Sequence, residues 1–176
     1  MIRLAKPTDL PLLQQIEVAA GTPFRDIGMS AIADDPPPSL AELSEYLDAD
    51  HIWVATDGND DPVAYALMEV VDGAAHIEQV SVHPKHSRRG LGAHLIDEID
   101  AWAAGHHLPA LTLTTFADVP WNAPYYERLG FHRLADDDVT PRLARIREDE
   151  ARHGLDAWPR VTMCRAVSNQ GRASQF

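Results

Sequence analysis

A basic turn that contains two glycines constrains this sequence more than any other feature. The turn is Arg88–Ala93 (Arg-Arg-Gly-Leu-Gly-Ala); it follows an alternating, strand-like run over residues 76–82, and a helix-like run begins at Leu91. Glycine lets a backbone turn tightly and approach a ligand closely, and the first N–H groups of a helix have no partners inside the helix. Because the helix dipole adds partial positive charge at the same place, the segment predicts a site for a phosphate or pyrophosphate.

Two familiar nucleotide-binding motifs do not fit this turn. A dinucleotide fingerprint requires a third glycine or alanine where this chain has Leu95. It also requires an acidic residue about 20 positions further on, where residues 111–115 read Leu-Thr-Leu-Thr-Thr. A P-loop ends in Gly-Lys-Ser/Thr, which the chain lacks. The predicted phosphate site therefore belongs to another class.

The turn and the strand before it resemble the acyl-CoA site of the GNAT superfamily of N-acyltransferases. The family signature, Gln/Arg-x-x-Gly-x-Gly/Ala, follows a strand that ends in a Val-x-Val-x-Pro-like segment. Here that segment is residues 80–84 (Val-Ser-Val-His-Pro), and the turn is residues 87–92 (Ser-Arg-Arg-Gly-Leu-Gly). Ser87 departs from the pattern by removing one long donor, for which Arg88 is a candidate substitute. The backbone donors of the turn do not depend on this position.

A second segment strengthens the resemblance. Residues 121–131 (Trp-Asn-Ala-Pro-Tyr-Tyr-Glu-Arg-Leu-Gly-Phe) are similar to the family's later motif, in which Asn precedes a Tyr-x-x-x-Gly-Phe element. Asn122 and Tyr126 occupy the two polar positions of that motif. The motifs come in the expected order, one strand apart. The likeness runs from about Ile2 to Val167 and is specific between His76 and Leu134.

The order of predicted elements also matches that family. The patterns predict a mixed α/β fold in which a mostly antiparallel sheet contains a central strand–helix–strand unit. Strands are predicted at residues 2–4, 52–56, 63–71, 75–82, 108–116, 131–134 and 160–167. Helices are predicted at residues 8–20 with Thr8 as the cap, 39–47 with a Ser39–Glu42 capping box, 91–104, 122–129 and 141–153 with Thr140 as the cap. Residues 21–38 are predicted to form a loop. Asp72-Gly73 is predicted to form a hairpin turn that leads into the strand at 75–82.

Composition places the chain among single-domain globular proteins. It has 176 residues, of which 45% are apolar and 24% charged, so we expect one domain over residues 1–167 and a loose tail at 168–176. No apolar run reaches the roughly 20 residues that cross a membrane, and polar sequence follows the first residues directly, which predicts neither a membrane span nor a signal peptide. The single cysteine, Cys164, predicts a reducing, cytoplasmic setting. The net charge of −12 argues against nucleic-acid binding.

The resemblance implies a site for acetyl-CoA. The backbone of the turn holds the phosphates with Arg88 and Arg89 nearby, and the end of the preceding strand pairs with the pantetheine arm and offers an N–H to the thioester carbonyl. Asn122 contacts the amide arm. Simpler interpretations stay open: a helix start without a ligand, valines that only fill the core, and an asparagine that only caps a helix. The predicted cofactor-binding residues are Val80, Val82, Arg88, Arg89, Gly90, Leu91, Gly92, Ala93, Asn122 and Tyr126.

Three residues are candidates for the proton transfers of acyl transfer. His76 and Glu78 share a strand face with Val80 if the alternation holds, and either is a candidate general base, directly or through a water. In the family a Glu or His stands at these positions. Tyr126 is the candidate acid, since a phenol with a pKa of about 10 suits a thiolate whose conjugate acid resembles cysteine. The simpler interpretations are polar residues on a half-buried strand and an aromatic that packs the short helix.

The acceptor is predicted only by class, as a small-molecule or peptide amine. Candidate acceptor-site residues are Phe24, Arg25, Met29, Trp121 and Trp158, each of which also suits a packing role. The predicted helix at 141–153 is an insertion of the kind that shapes acceptor pockets in the resembling family. No histidine or cysteine spacing predicts a metal site. The alternatives are a non-catalytic acyl-CoA sensor domain and a transferase for longer acyl-CoA, and a homodimer is compatible with the fold.

Overall fold

A computed structural model describes residues 1–168 of the chain. Its strands are β1 (Ile2–Leu4), β2 (Ile52–Thr56), β3 (Pro62–Val71), β4 (Ala74–Val82), β5 (Ala110–Phe116), β6 (His132–Arg133) and β7 (Arg160–Ala166). Its α-helices are α1 (Leu10–Gly21), α2 (Ser30–Ala33), α3 (Leu40–Asp48), α4 (Leu91–Gly105), α5 (Ala123–Arg128) and α6 (Pro141–Arg152). Short 3₁₀ helices are Pro7–Asp9, Thr22–Ile27, Pro84–His86, Asp136–Asp138 and Leu155–Ala157.

The strands within residues 1–168 form one sheet in the order β1-β2-β3-β4-β5-β7-β6. Strand β2 pairs antiparallel with β1 and with β3, and β7 pairs antiparallel with β5 and with β6. Strands β4 and β5 pair in parallel, and α4 is the crossover between them, because parallel neighbours cannot be joined by a tight turn. The predicted mixed fold, with a mostly antiparallel sheet and a central strand–helix–strand unit, is confirmed.

The contacts of the chain divide it into two compact units. Unit 1 comprises Met1–Glu69 and Gln79–Ile99, and unit 2 comprises Val70–Glu78 and the chain from Asp100 onward. The boundary within β4 falls between Glu78 and Gln79, so this strand supplies residues to both units.

The core of unit 1 forms where α1 and α3 cover β2 and β3. Leu13 and Leu43 from the helices are fully buried there with Tyr65 from β3. The predicted capping box begins α3: the Ser39 hydroxyl accepts from the Glu42 N–H at 3.2 Å, and the Glu42 carboxylate accepts from the Ser39 N–H at 2.8 Å. Both residues satisfy donors that the helix start would leave open.

Unit 2 contains a tight hairpin turn and a buried ion pair. Asp72 and Gly73 have φ of 49° and 77°, as a two-residue hairpin requires, and the predicted turn is confirmed. The Asp72 carboxylate also accepts from the backbone N–H of Arg142 at 2.9 Å, which ties this turn to the start of α6. Deeper in the unit, the buried Asp100 accepts from Arg165 at 3.2 Å.

Some predicted boundaries are wrong for identifiable reasons. Thr8 does not cap the first helix, because Pro7–Asp9 forms a 3₁₀ turn and α1 begins only at Leu10. Residues 21–38 are not all loop: the 3₁₀ helix Thr22–Ile27 and the short α2 lie within them, since Pro23 suits a helix start and Gly28, with φ of 78°, ends the turn.

The end of the described chain is anchored. The backbone N–H of Ser168 donates to the Asp100 carboxylate at 3.1 Å. The rest of the predicted loose tail, residues 169–176, lies outside the described residues. Across the part that is described, no helix is long and apolar enough to cross a membrane.

Candidate active site

The predicted phosphate turn lies in unit 1, between the 3₁₀ helix Pro84–His86 and α4. Arg88 and Gly90 have φ of 61° and 74°, the left-handed conformation, on either side of Arg89. Arg88 tolerates this conformation at a cost of about 1 kcal/mol, whereas Gly90 adopts it freely. A backbone in which residues with positive φ stand on both sides of a residue without it turns successive N–H groups toward one side. Such a concave set of N–H groups binds anions.

Helix α4 begins directly after this turn. The N–H groups of Leu91, Gly92 and Ala93 stand in its first turn, where no carbonyl inside the helix can accept from them. The side chains of Arg88 and Arg89 are exposed. The turn therefore combines open backbone donors, the positive end of a helix dipole and two cations, as a pyrophosphate site requires.

Gly90 provides a direct test of this turn. A Cβ at Gly90 would lie 3.7 Å from the His94 side chain, which is an ordinary van der Waals distance. There is therefore room for a side chain at Gly90, and only the backbone φ of 74° disfavours one. We expect Gly90→Val to weaken acetyl-CoA binding about 10-fold or more in calorimetry, since a β-branched residue is a conformational outlier at positive φ. Gly58→Val is the matched control, because Gly58 lies in an open turn without positive φ. Equal affinity of the two variants would contradict the assignment.

The end of β4 carries two valines that are only half-buried. Val80 and Val82 stand outside the buried core, whereas Ile77 and Ser81 on the same strand are 4% and 2% exposed. Both valines are therefore less buried than core positions usually are, and their role at the cofactor stays a prediction. They leave apolar surface at the place where the resemblance puts the pantetheine arm.

Sequence reasoning missed a half-buried carboxylate in unit 1, that of Glu17. Glu17 of α1 accepts hydrogen bonds from Tyr65, Gln79 and Ser81, at 2.7, 2.9 and 2.5 Å. Burial raises the pKa of Glu17, and burial followed by the Glu17 charge raises the pKa of Tyr65. A signal that the Glu17 side chain faces the core was present, since Glu17 follows Leu10 and Leu13 at the spacing of the apolar stripe on α1.

In unit 2, the two candidate bases lie side by side on β4. His76 Nε2 is 3.7 Å from Glu78 Oε1, so the predicted shared face is observed. His76 Nδ1 lies 2.9 Å from the Thr112 hydroxyl on β5. The His76 side chain is 1% exposed and that of Glu78 28%, so Glu78 is the more accessible of the two.

The candidate acid, Tyr126, lies on the short helix α5 of unit 2. Its ring packs edge-on against Tyr125 and Phe131, with ring centres 5.4 and 5.8 Å away, and the residue is 8% exposed. Burial raises the pKa of the Tyr126 hydroxyl well above its ordinary value. The phenol therefore keeps its proton at neutral pH, as a proton donor must.

Asn122 immediately precedes α5 but does not cap it. Its side chain makes no capping hydrogen bond, so the capping interpretation is wrong. Its Oδ1 is buried and has no hydrogen-bond partner among the described residues. Because a buried acceptor without a donor costs about 1–3 kcal/mol, this atom fits a ligand that brings an N–H, such as the amide arm of CoA.

The candidate acceptor-site residues have different surroundings in the two units. In unit 1, Arg25 pairs with Asp34 on the surface, Phe24 is half-buried and Met29 is 3% exposed. In unit 2, Trp121 is 38% exposed, and Trp158 meets Phe116 edge-on with ring centres 6.3 Å apart. Their acceptor roles stay predictions.

Helix α6 is fixed onto β5 within unit 2. Glu150 of this helix hydrogen-bonds Thr114 of β5 and pairs with Arg160 at 3.2 Å and with Arg147 at 2.7 Å. Thr114 follows Thr112 on the same strand face, because side chains alternate along a strand. Helix α6 thus contacts the strand face of β5 that also carries Thr112, the partner of His76.

Among residues 1–168, no group of three or more His, Cys, Asp or Glu side chains is placed to hold a metal ion.

Cys164 of β7 is half-buried, and burial raises the pKa of its thiol. A raised thiol pKa disfavours the reactive thiolate.

Comparison with known proteins identifies the class. The family model described as acetyltransferase (GNAT) family matches residues 20–131, more than half of the chain. The chain therefore belongs to the GNAT acetyltransferase family. The match includes the phosphate turn, β4 and α5, the segments on which the resemblance was based.

Solved structures of the same fold cover nearly all of this chain. Rv2747 from Mycobacterium tuberculosis, in complex with CoA, is 18% identical with a TM-score of 0.72, over 96% of this chain and 99% of its own. The ribosomal-protein-S18-alanine N-acetyltransferase from Escherichia coli is 20% identical with a TM-score of 0.64, over 100% and 99%. The PaiA N-acetyltransferase from Thermoplasma acidophilum, in complex with CoA, is 14% identical with a TM-score of 0.64, over 94% and 98%.

Proposed function

We propose that this protein is an N-acetyltransferase that moves the acetyl group of acetyl-CoA to a primary amine by direct attack in a ternary complex. The observation that carries the proposal is the turn before α4, where Arg88 and Gly90 adopt positive φ and three backbone donors follow. The buried, unpartnered oxygen of Asn122 supports the same ligand, because CoA has amide N–H groups along its arm. Two solved relatives in complex with CoA are consistent with it.

Acetyl-CoA supplies an activated acetyl thioester, and the chain supplies binding and proton transfer. The turn Arg88–Ala93 holds the phosphates, and the main chain at Val80 donates to the carbonyl oxygen as negative charge develops there. Glu78 accepts the proton that the amine loses, and Tyr126 donates the proton that the departing sulfur takes up. The high pKa of Tyr126 keeps that proton available.

We assign the base to Glu78 and a positioning role to His76. The His76 side chain is only 1% exposed, and its two ring nitrogens face Glu78 and the Thr112 hydroxyl. His76 is therefore poorly placed to contact an amine. We expect Glu78→Gln to lower kcat about 100-fold at neutral pH with little change in acetyl-CoA affinity, measured by steady-state kinetics and calorimetry. Glu69→Gln, at a half-buried carboxylate on β3, should leave kcat unchanged. Full activity of Glu78→Gln would remove Glu78 from the mechanism.

A turnover assay tests the proposal. The protein is incubated with acetyl-CoA and a panel of amines: diamines, amino acids, aminoglycosides and peptides with free N-termini or lysines. The proposal expects release of CoA thiol together with an acetylated amine detected by mass spectrometry. Selective acetyl-CoA binding without turnover of any amine would favour a non-catalytic acyl-CoA sensor domain. Faster turnover with a longer acyl-CoA would favour a transferase for longer acyl groups.

The acceptor is proposed only as an amine, in small-molecule or peptide form. One solved relative, the S18-alanine N-acetyltransferase, carries such an acceptor in its name. We also propose a cytoplasmic location and a homodimer. The cytoplasmic location is supported by the single cysteine of the chain, since disulfides are rare in the cytosol.

A further inference from the structure

The half-buried side chain of Glu17 carries a carboxylate that the proposed mechanism does not use. It reaches from α1 to two strands of unit 1. Its Oε2 accepts from the Tyr65 hydroxyl of β3 at 2.7 Å and from the Ser81 hydroxyl of β4 at 2.5 Å. Its Oε1 accepts from Gln79 Nε2 at 2.9 Å. A half-buried carboxylate that accepts from three side chains on two strands is a specific arrangement and not an incidental contact.

The direction of each hydrogen bond makes Glu17 the common acceptor. Gln79 Nε2 also donates to Ser81 Oγ at 2.8 Å, and an amide nitrogen can only donate. Ser81 therefore directs its own hydrogen to Glu17. The Tyr65 hydroxyl donates to the same carboxylate. Three donors that converge on two oxygens match an ionised carboxylate and fix the rotamers of Gln79 and Ser81.

The two β4 residues held in this way flank Val80. Side chains at Gln79 and Ser81 point to one face of the strand and Val80 to the other, so Glu17 fixes the strand on both sides of Val80. We propose that Glu17 is a positioning residue that holds residues 79–81 so that the main-chain donor at Val80 keeps a fixed orientation. This inference rests on the proposed function, which gives the Val80 main chain its role at the carbonyl oxygen.

Fixed orientation is what such a donor requires. An oxyanion donor lowers the barrier only if it is in place before the charge develops, since reorganisation during the reaction cancels the gain. Misplacement by about 1 Å costs on the order of 100-fold in rate. Loss of the Glu17 contacts should therefore slow the chemical step and leave cofactor binding, which depends on Arg88–Ala93, nearly intact.

Two variants and a matched control test this inference. Glu17→Gln and Ser81→Ala should each lower kcat about 10-fold or more, with acetyl-CoA Kd and acceptor KM within about 2-fold of the wild type. Gln14→Ala is the control: Gln14 lies on the same helix and its side chain donates to Pro38 O at 2.8 Å, away from β4. It should keep kcat while it lowers stability. Ser81→Thr, which retains a hydroxyl, should recover most of the rate lost in Ser81→Ala.

Hydrogen exchange gives a readout that does not depend on turnover. The Val80 amide should exchange faster in Ser81→Ala than in the wild type or in Gln14→Ala. A kcat per folded molecule that stays unchanged in Glu17→Gln and Ser81→Ala would overturn the inference while the proposed function stands. Absence of turnover in the wild type would overturn both. If Glu17→Gln does not fold, Ser81→Ala decides alone.

Discussion

Replacement of Tyr126 by phenylalanine is expected to lower kcat about 100-fold to 10,000-fold, the usual range for loss of a positioned general acid. The substitution removes only the hydroxyl, and the ring retains its edge-on contacts with Tyr125 and Phe131. Burial raises the pKa of the phenol, so the wild type holds a proton for the departing sulfur at neutral pH. Affinity for acetyl-CoA should change by less than about 2-fold, since the phosphate contacts remain.

The neighbouring tyrosine gives a matched control. Tyr125→Phe removes the same group from the next residue of α5, and we expect it to retain kcat within about 3-fold. The measurement is steady-state release of CoA thiol together with calorimetric binding of acetyl-CoA. Equal kcat in Tyr126→Phe and the wild type would contradict the assignment of the acid.

Replacement of Asp100 by alanine is expected to have the largest effect on stability. Asp100 is 4% exposed; it accepts from Arg165 at 3.2 Å and from the backbone N–H of Ser168. Its loss leaves the Arg165 guanidinium, whose side chain is only 16% exposed, without its carboxylate. Removal of one partner from a largely buried ion pair costs about 3–5 kcal/mol. Arg165 also donates to Leu129 O, at the end of the helix that carries Tyr126. Urea denaturation of Asp100→Ala should therefore show a much lower midpoint.

An exposed ion pair gives the comparison. Asp149 pairs with Arg152 at 2.7 Å, but the two side chains are 61% and 70% exposed. Solvent screens such a pair, so Asp149→Ala should cost less than about 1 kcal/mol. If Asp100→Ala lowers the free energy of unfolding no more than Asp149→Ala does, the stabilising role of the Asp100–Arg165 pair is contradicted.

Local patterns predicted most of the elements because each carried a physical signal. Ser39 and Glu42 begin α3 as the capping box requires, and Asp72-Gly73 makes the tight hairpin turn. The alternation along β4 placed His76 and Glu78 on one face. The phosphate turn was predicted from glycine, and the positive φ of Gly90 is the property that glycine supplies.

The features that the sequence did not predict depend on contacts between distant segments. Glu17 lies 48 residues from Tyr65 and 64 from Ser81, so no local pattern links them. The same holds for His76 and Thr112, which meet because β4 and β5 pair in parallel. The short helices in residues 21–38 were missed because glycine and proline suggested a loop, although proline also suits a helix start.

Calorimetric titration of acetyl-CoA into the wild-type protein, with NAD and ATP titrated for comparison, decides whether the turn before α4 is an acyl-CoA site. We expect saturable binding of acetyl-CoA, much weaker binding of NAD and ATP, and an acetyl-CoA affinity about 10-fold or more lower in Gly90→Val. No binding of acetyl-CoA, or tighter binding of NAD or ATP, would contradict the assignment of the turn before α4 as an acyl-CoA site.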